Sequence, residues 1–262
     1  MNTTGQYLEA LRAQPPLVHN ITNYVAMNVM ANVLLATGAS PAMLHAREEV
    51  GEFAALATVL TVNIGTFDGE WLAAMEEAAT VMTEAGKPWV LDPVAVFATQ
   101  FRRDAVARLV ALKPTVIRGN ASEIMAVAGA EASGQGADAG DSVEAAEEAA
   151  RDLARQTGAV VAVTGEVDFV TDGARAYRVE NGHAVMPKVT ALGCSLTGVV
   201  GAFVAGIPAL EGTVAALAYY GLAGERAGAR TDGPGSFAVA FLDELHGMTP
   251  EALSAGARVR AV

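Results

Sequence analysis

The sequence predicts an α/β protein in three layers, with helices covering both faces of a mostly parallel central sheet. Three observations carry that expectation. Short apolar runs alternate with longer helical segments along the chain, the runs lack the every-second-residue polarity of a half-exposed strand, and one stretch is punctuated by Asp172-Gly173 and Asn181-Gly182. Alternation implies parallel strands joined by helical crossovers, and continuously apolar strands imply burial on both faces. Asx-Gly pairs mark the tight turns of a small antiparallel meander.

Taken in order, a helix over 4–14 precedes a strand over 17–22, and a helix over 24–37 ends at Gly38, the residue type that most readily closes a helix in a left-handed turn. An extended piece over 39–43, a helix over 48–57, a strand over 58–64, a helix over 69–85 and a strand over 88–91 follow. Next come a helix over 102–112, a strand over 115–117, helices over 122–128 and 142–157, and a strand over 159–164. Segments 168–170, 174–179 and 183–185 read as the meander, and the remainder as helix. Residues 131–141 are rich in Gly, Ala and Ser and read as a surface loop; Gly134-x-Gly136 follows a helix rather than a strand, which is the wrong context for a nucleotide fingerprint. One domain spanning 1–262 is expected, because 262 residues that are 52% hydrophobic can bury one large core.

Composition narrows the partners. A formal net charge of −12 argues against non-specific nucleic-acid binding, which needs many cationic contacts to phosphates. No apolar run approaches the ~20 residues of a membrane span. The first residues, Met1 to Ala13, lack the basic patch and apolar core of a signal peptide, and the lone Cys194 excludes an internal disulfide, so a reducing cytoplasm is expected.

Sheets of this kind bind ligands beyond the carboxyl ends of their strands. Four polar motifs fall just after predicted strands: Asn63-Ile64-Gly65-Thr66, Asp92-Pro93-Val94, Arg118-Gly119-Asn120 and Thr164-Gly165-Glu166. A further segment, Thr190-Ala191-Leu192-Gly193-Cys194-Ser195-Leu196-Thr197-Gly198, runs into the apolar stretch 199–205 as a helix N-terminus. Free N–H groups and the positive end of the helix dipole favour an anion there. The same location is expected to lower a thiol pKa, making Cys194 a base or orienting group for an attacking alcohol. A lone cysteine in an apolar helix is also a common core residue, so position alone leaves both readings open. The chain has neither Gly-x-x-x-x-Gly-Lys-Ser/Thr nor a His-Arg-Asp catalytic loop, so phosphoryl transfer here would need another architecture.

Besides those motifs, the chain carries His19-Asn20-Ile21-Thr22-Asn23, Gly38-Ala39-Ser40-Pro41-Ala42-Met43, Leu91-Asp92-Pro93-Val94, Arg118-Gly119-Asn120-Ala121-Ser122-Glu123-Ile124, Val163-Thr164-Gly165 and Gly233-Pro234-Gly235-Ser236-Phe237. With these in order along nearly its whole length, the sequence resembles the hydroxyethylthiazole kinases of thiamin salvage, a branch of the ribokinase-like superfamily. The resemblance implies a ribokinase-like fold, transfer of the ATP γ-phosphoryl group to the hydroxyl of hydroxyethylthiazole, a requirement for Mg²⁺, and a homotrimer with sites between subunits. It places Cys194, after Gly193, where the superfamily usually has an aspartate base. It implies Arg118, Thr164 and Gly165 as ATP-binding residues, Asn23, Met43 and Ala191 on the substrate side, and Asp92 and Glu123 for the metal.

His19 and Asn20 are expected to brace the pocket and Met27 and Met30 to fill core; His45, His183 and His246 receive no role. One departure stands out: where the family usually has Thr-Gly-x-Gly-Cys, this chain has Thr190-Ala191-Leu192-Gly193-Cys194. A methyl group at 191 is harmless at negative φ and costly in a left-handed turn. The competing readings are a kinase for a hydroxymethylpyrimidine or pyridoxal-like alcohol, an ATP-dependent hydrate dehydratase, and a nucleotide-binding module without turnover.

Overall fold

The computed structural model describes residues 3–129 and 141–262; of the loop expected at 131–141, residues 131–140, with Gly134 and Gly136, lie outside them, and Asp141 already opens a helix. Strands β1 (Leu17–Ile21), β2 (Ser40–Met43), β3 (Val59–Asn63), β4 (Trp89–Asp92), β5 (Val116–Asn120), β6 (Val160–Thr164), β7 (Asp168–Thr171), β8 (Ala176–Val179) and β9 (Val259–Ala261) form one sheet in the order β2-β1-β3-β4-β5-β6-β7-β8-β9. Pairing is parallel from β2 through β6 and antiparallel from β6 to β9.

Both faces of the sheet are covered, as the continuously apolar strands require. Val18, Val59, Val90, Val116 and Val160 point into a core shared with α2 (Met27–Thr37), α8 (Leu192–Val204), α9 (Ala209–Gly228) and α10 (Pro234–Gly247). Their strand neighbours Leu60, Val62, Trp89 and Leu91 face α4 (Gly69–Glu84) and α5 (Gln100–Ala111), while Ile117, Val161 and Val163 face α6 (Ala121–Val127) and α7 (Asp141–Thr157). The expected three-layer α/β/α architecture is thus present.

Helix α8 matters most for function. Gly201 lets it lie directly on β3, where a Cβ would come within 2.7 Å of Thr61, and Gly198 lets it pack close against α2, where a Cβ would come within 3.0 Å of Met30 Cε. Met30 therefore fills core, as expected. Leu196, Val199, Val200 and Phe203 of α8 are buried, each such side chain stabilising the fold by roughly 1.5–3 kcal/mol. That burial fixes where the N-terminus of α8 sits relative to the strand ends.

Most boundaries shift by one or two residues from the sequence reading, and the larger differences have identifiable causes. Residues 183–185 are not a strand; a 3₁₀ turn, Met186–Lys188, follows them, and β9 from the far end of the chain pairs with β8 instead. Asn181-Gly182 is an anchor rather than a hairpin turn. The Glu225 carboxylate accepts the Gly182 N–H at 3.0 Å and Asn181 Nδ2 at 3.2 Å, while Asn181 Oδ1 accepts the Arg258 N–H at 2.8 Å. The chain is thereby diverted toward α9, and the vacated edge is taken by a distant strand, so the remainder is not wholly helical. Helix α2 starts three residues later than expected because Asn23 Oδ1 accepts the Ala26 N–H at 3.0 Å and holds 24–26 in a turn. Strand β5 runs on through Arg118 and Gly119, which pair with Ala162 and Val163.

Candidate active site

Parallel register brings the polar strand ends level. Asn63 lies opposite Asp92 across β3 and β4, Asn120 lies opposite Thr164 across β5 and β6, and Met43 ends β2 beside Asn20 of β1. Thr22 and Asn23 follow β1 on the same edge, and the first turn of α8 brings Gly193 and Cys194 against it.

Asp92 is buried at the centre of this edge. Its Oδ2 accepts Asn63 Nδ2 at 2.7 Å and Thr197 Oγ1 at 2.8 Å, with Arg118 Nη1 farther off at 3.5 Å. Its Oδ1 is buried and has no hydrogen-bond partner among the described residues. Burial pushes the carboxyl pKa up to about 6; the Arg118 charge opposes that, and the Glu123 carboxylate adds to it. Two firm donors on one oxygen fix the carboxyl plane and leave the other oxygen bare, an arrangement suited to a hard divalent cation. Glu123 is more occupied. Oε1 accepts the Ala95 N–H and Oε2 the Asn120 N–H, both at 2.9 Å, the latter completing a capping box with Asn120 at the start of α6. Glu123 thus ties the end of β5 to the loop after β4, where Ala95 is left-handed (φ 53°).

Arg118 joins three parts of the edge. Nη2 donates to Thr164 Oγ1 at 2.6 Å and Nη1 to the Gly193 carbonyl at 3.1 Å, while Nε is buried with no partner among the described residues. Thr164 Oγ1 in turn donates to the Gly119 carbonyl at 3.2 Å. The Gly165 N–H donates to Asp168 Oδ1 at 3.0 Å, and burial raises that acid's pKa to about 7.

Cys194 sits in the first turn of α8, half-buried. Asn23 Nδ2 donates to its Sγ at 3.3 Å and to Asn63 Oδ1 at 2.8 Å, so a chain of hydrogen bonds runs from the thiol through two amides to Asp92. The thiol pKa is raised, contrary to expectation: burial dominates and the Asp92 charge adds to it, outweighing the donors Asn23 and Asn63 and the Arg118 charge. Helix position alone does not set this group; its desolvation does.

Ala191 precedes α8 with φ 65° and ψ 3°, in the left-handed region, and its carbonyl accepts both the Ser195 N–H (2.8 Å) and Ser195 Oγ (2.9 Å). The loop therefore demands the conformation in which a methyl group is costly. Met43 is half-buried against the core on the α8 side. His19 Nε2 meets the Leu44 carbonyl at 2.8 Å, and Asn20 links the Ala42 carbonyl (3.3 Å) to Thr61 Oγ1 (2.7 Å), so both brace β1 against its neighbours. His45 packs edge-on against Trp71, His183 lies beneath Gly228, and His246 is in the last turn of α10.

Asn63 and Thr197 lie inside motifs that the sequence points to but receive no role of their own there, and Asp168 and Arg102 are not singled out by sequence reasoning. Thr197 had a usable signal, since three residues after Cys194 returns to the same helix face. Arg102 had none, because its guanidinium reaches only backbone carbonyls, two of them far away in sequence. Two surface hollows of ≈ 490 and ≈ 470 Å³ lie elsewhere, one lined by Gly5, Glu9 and Pro250, the other by Pro88, Thr115 and Gly206 where strands begin. Converging polar groups, not concavity, locate this site.

The family model for the hydroxyethylthiazole kinase family matches residues 8–251. A curated hydroxyethylthiazole kinase of Cereibacter sphaeroides is 67% identical over 261 residues, covering 100% of both chains. Among solved structures, one described as a hydroxyethylthiazole kinase protein from Pyrococcus horikoshii superposes with a TM-score of 0.93 at 41% identity, covering 100% of both chains. The ADP complex of Bacillus subtilis pyridoxal kinase shares the fold at 17% identity, with a TM-score of 0.60 over 79% of this chain and 90% of that one. Matched along nearly its whole length in sequence and in fold, this chain belongs to the hydroxyethylthiazole kinase family.

Proposed function

We propose that this protein transfers the γ-phosphoryl group of ATP to the hydroxyl of 4-methyl-5-(2-hydroxyethyl)thiazole, giving the thiazole phosphate used for thiamin. The observation that carries the reading is the hydrogen-bonded chain from Cys194 through Asn23 and Asn63 to Asp92, beside Arg118 and the first turn of α8. Family membership supports the substrate.

In this reading the hydroxyl oxygen bonds to the γ-phosphorus, the bond to the β,γ-bridging oxygen breaks, and ADP leaves. Cys194 Sγ orients the hydroxyl or takes its proton, with Asn23 Nδ2 stabilising charge on sulfur. The free amides of the first turn of α8, around Gly193 and Cys194, face the transferring group, and the low charge density of a spreading transition state suits such fixed dipoles. Arg118, Thr164 and Gly165 hold the ATP phosphates, and Asn23, Met43 and Ala191 bound the thiazole side. Mg²⁺ fits Asp92, whose Oδ1 is bare, with Glu123 adding charge behind it, and when bound it offsets phosphate charge.

The chain works as one kinase domain, 1–262, in the cytoplasm, a setting that its single cysteine suits. It assembles as a homotrimer with sites between subunits; Tyr24 and Val25, 68% and 58% exposed immediately after Asn23, supply apolar surface for such a contact. The test is a Mg-ATP assay with hydroxyethylthiazole, pyridoxal and hydroxymethylpyrimidine, with identification of the phosphorylated product and light scattering for the assembly. Turnover of another alcohol but not the thiazole would overturn the substrate.

A further inference from the structure

Register holds Asn63 and Asp92 opposite each other, but beyond that pair β3 and β4 separate, and their last backbone link is a long Ile64 N–H to Asp92 carbonyl bond of 3.4 Å. A side chain from α5 closes the gap. Arg102 lies in the first turn of that helix, its N–H capped by Thr99 Oγ1 at 3.3 Å. Its Nη1 donates to the Ile64 carbonyl at 2.7 Å and to the Val94 carbonyl at 2.9 Å, and its Nη2 donates to the Gly65 carbonyl at 2.7 Å. The Phe67 ring, stacked on Phe101 at 4.7 Å, lies 5.5 Å from the guanidinium carbon and limits its freedom.

We propose that Arg102 is a positioning residue for the phosphoryl transfer, setting the distance between the thiol-bearing and carboxylate-bearing sides of the site. Two chains of contact lead from it. Gly65 packs under the Asn23 side chain so closely that a Cβ there would come within 2.8 Å of Nδ2, the atom that holds Cys194 Sγ, and the Gly65 N–H also donates to Asn63 Oδ1 at 2.9 Å. On the other side, Val94 follows Asp92 by two residues, and Ala95 beyond it donates to Glu123. One planar fork thus spans both loops. Lysine, with one nitrogen, cannot reproduce three bonds in that plane.

The inference rests on the kinase reading, and its test separates the two. Arg102→Lys and Arg102→Ala are compared with wild type and with Leu253→Ala, which removes a buried side chain from the helix Pro250–Gly256, in another part of the fold. Both Arg102 variants are expected to lower kcat on the order of tenfold to a hundredfold while leaving the KM for ATP nearly unchanged. Guanidinium ion at millimolar concentration is expected to restore part of the kcat of Arg102→Ala. Amide hydrogen exchange, which needs no turnover, is expected to quicken selectively at Gly65 and Ala95. Leu253→Ala loses stability without these three signatures. If the Arg102 variants differ from wild type only as Leu253→Ala does, Arg102 is merely structural and the proposal falls. Wild type inactive on the thiazole alcohol, with the exchange result intact, would refute the kinase reading alone.

Discussion

Ala191→Gly relieves a strain that can be worked out from the backbone. At φ 65° and ψ 3° the Ala191 methyl crowds its own carbonyl region, costing an L-residue roughly 1–2 kcal/mol. Glycine removes that cost but gains freedom in the unfolded chain, which offsets about 0.4–1 kcal/mol. The carbonyl bonds to Ser195 are backbone-acceptor bonds and survive the change. The net expectation is a gain of about 0.5–1 kcal/mol, raising Tm by about 1–4 °C for a chain of this size. Ala191→Val, β-branched in the same conformation, should lose stability by more than glycine gains. Thermal unfolding at one protein concentration measures both. If glycine is neutral or destabilising and valine is tolerated, the loop relaxes to negative φ and the left-handed cap before α8 is not a real constraint. Turnover in Ala191→Gly should stay near wild type, since Cys194 is held from the other side by Asn23.

Other outcomes can be checked on the same protein. Cys194→Ala should lower kcat about 10²–10⁴-fold with ATP binding nearly intact, and Cys194→Asp should retain activity; unchanged kcat in the first would remove the thiol from the chemistry. Because burial raises the thiol pKa, a thiolate base would make kcat climb with pH on the alkaline side of neutrality, whereas a purely orienting thiol gives a flat limb there. Gly65→Ala would drive a Cβ to within 2.8–2.9 Å of Asn23 and should cost about 1–3 kcal/mol in urea unfolding along with kcat; a neutral result would show that Asn23 is free to move. Asp168 has a folded pKa of about 7 against an unfolded value near 4, so the folded state binds more protons between them and stability falls as pH rises through that window. Asp168→Asn keeps an acceptor for the Gly165 N–H and should flatten that decline; an unchanged slope of stability against pH would place the titration elsewhere.

The sequence by itself determined the layers, the strand order's parallel character up to β6, and the identity of most polar strand ends. Those depend on burial on both faces and on turn chemistry, which are local properties of the chain. Asp92, Thr164 and the Gly193-Cys194 turn were legible because each ends a strand or begins a helix, the places where backbone groups are unpaired; Arg118 was legible as a charged residue in an apolar run, although it lies inside β5 rather than at its end. The tertiary structure alone decided what needs distant partners. It gave β9 rather than 183–185 to the last edge, through the Glu225 and Arg258 contacts at Asn181. It put the thiol in a desolvated place near Asp92, reversing the pKa direction that helix position suggested, and it showed that Ala191 is left-handed. It also revealed Arg102 spanning two loops whose carbonyls are invisible in a string of side-chain types. A pattern of residues records which groups are available, but the distances and the water excluded between them exist only once the chain is packed.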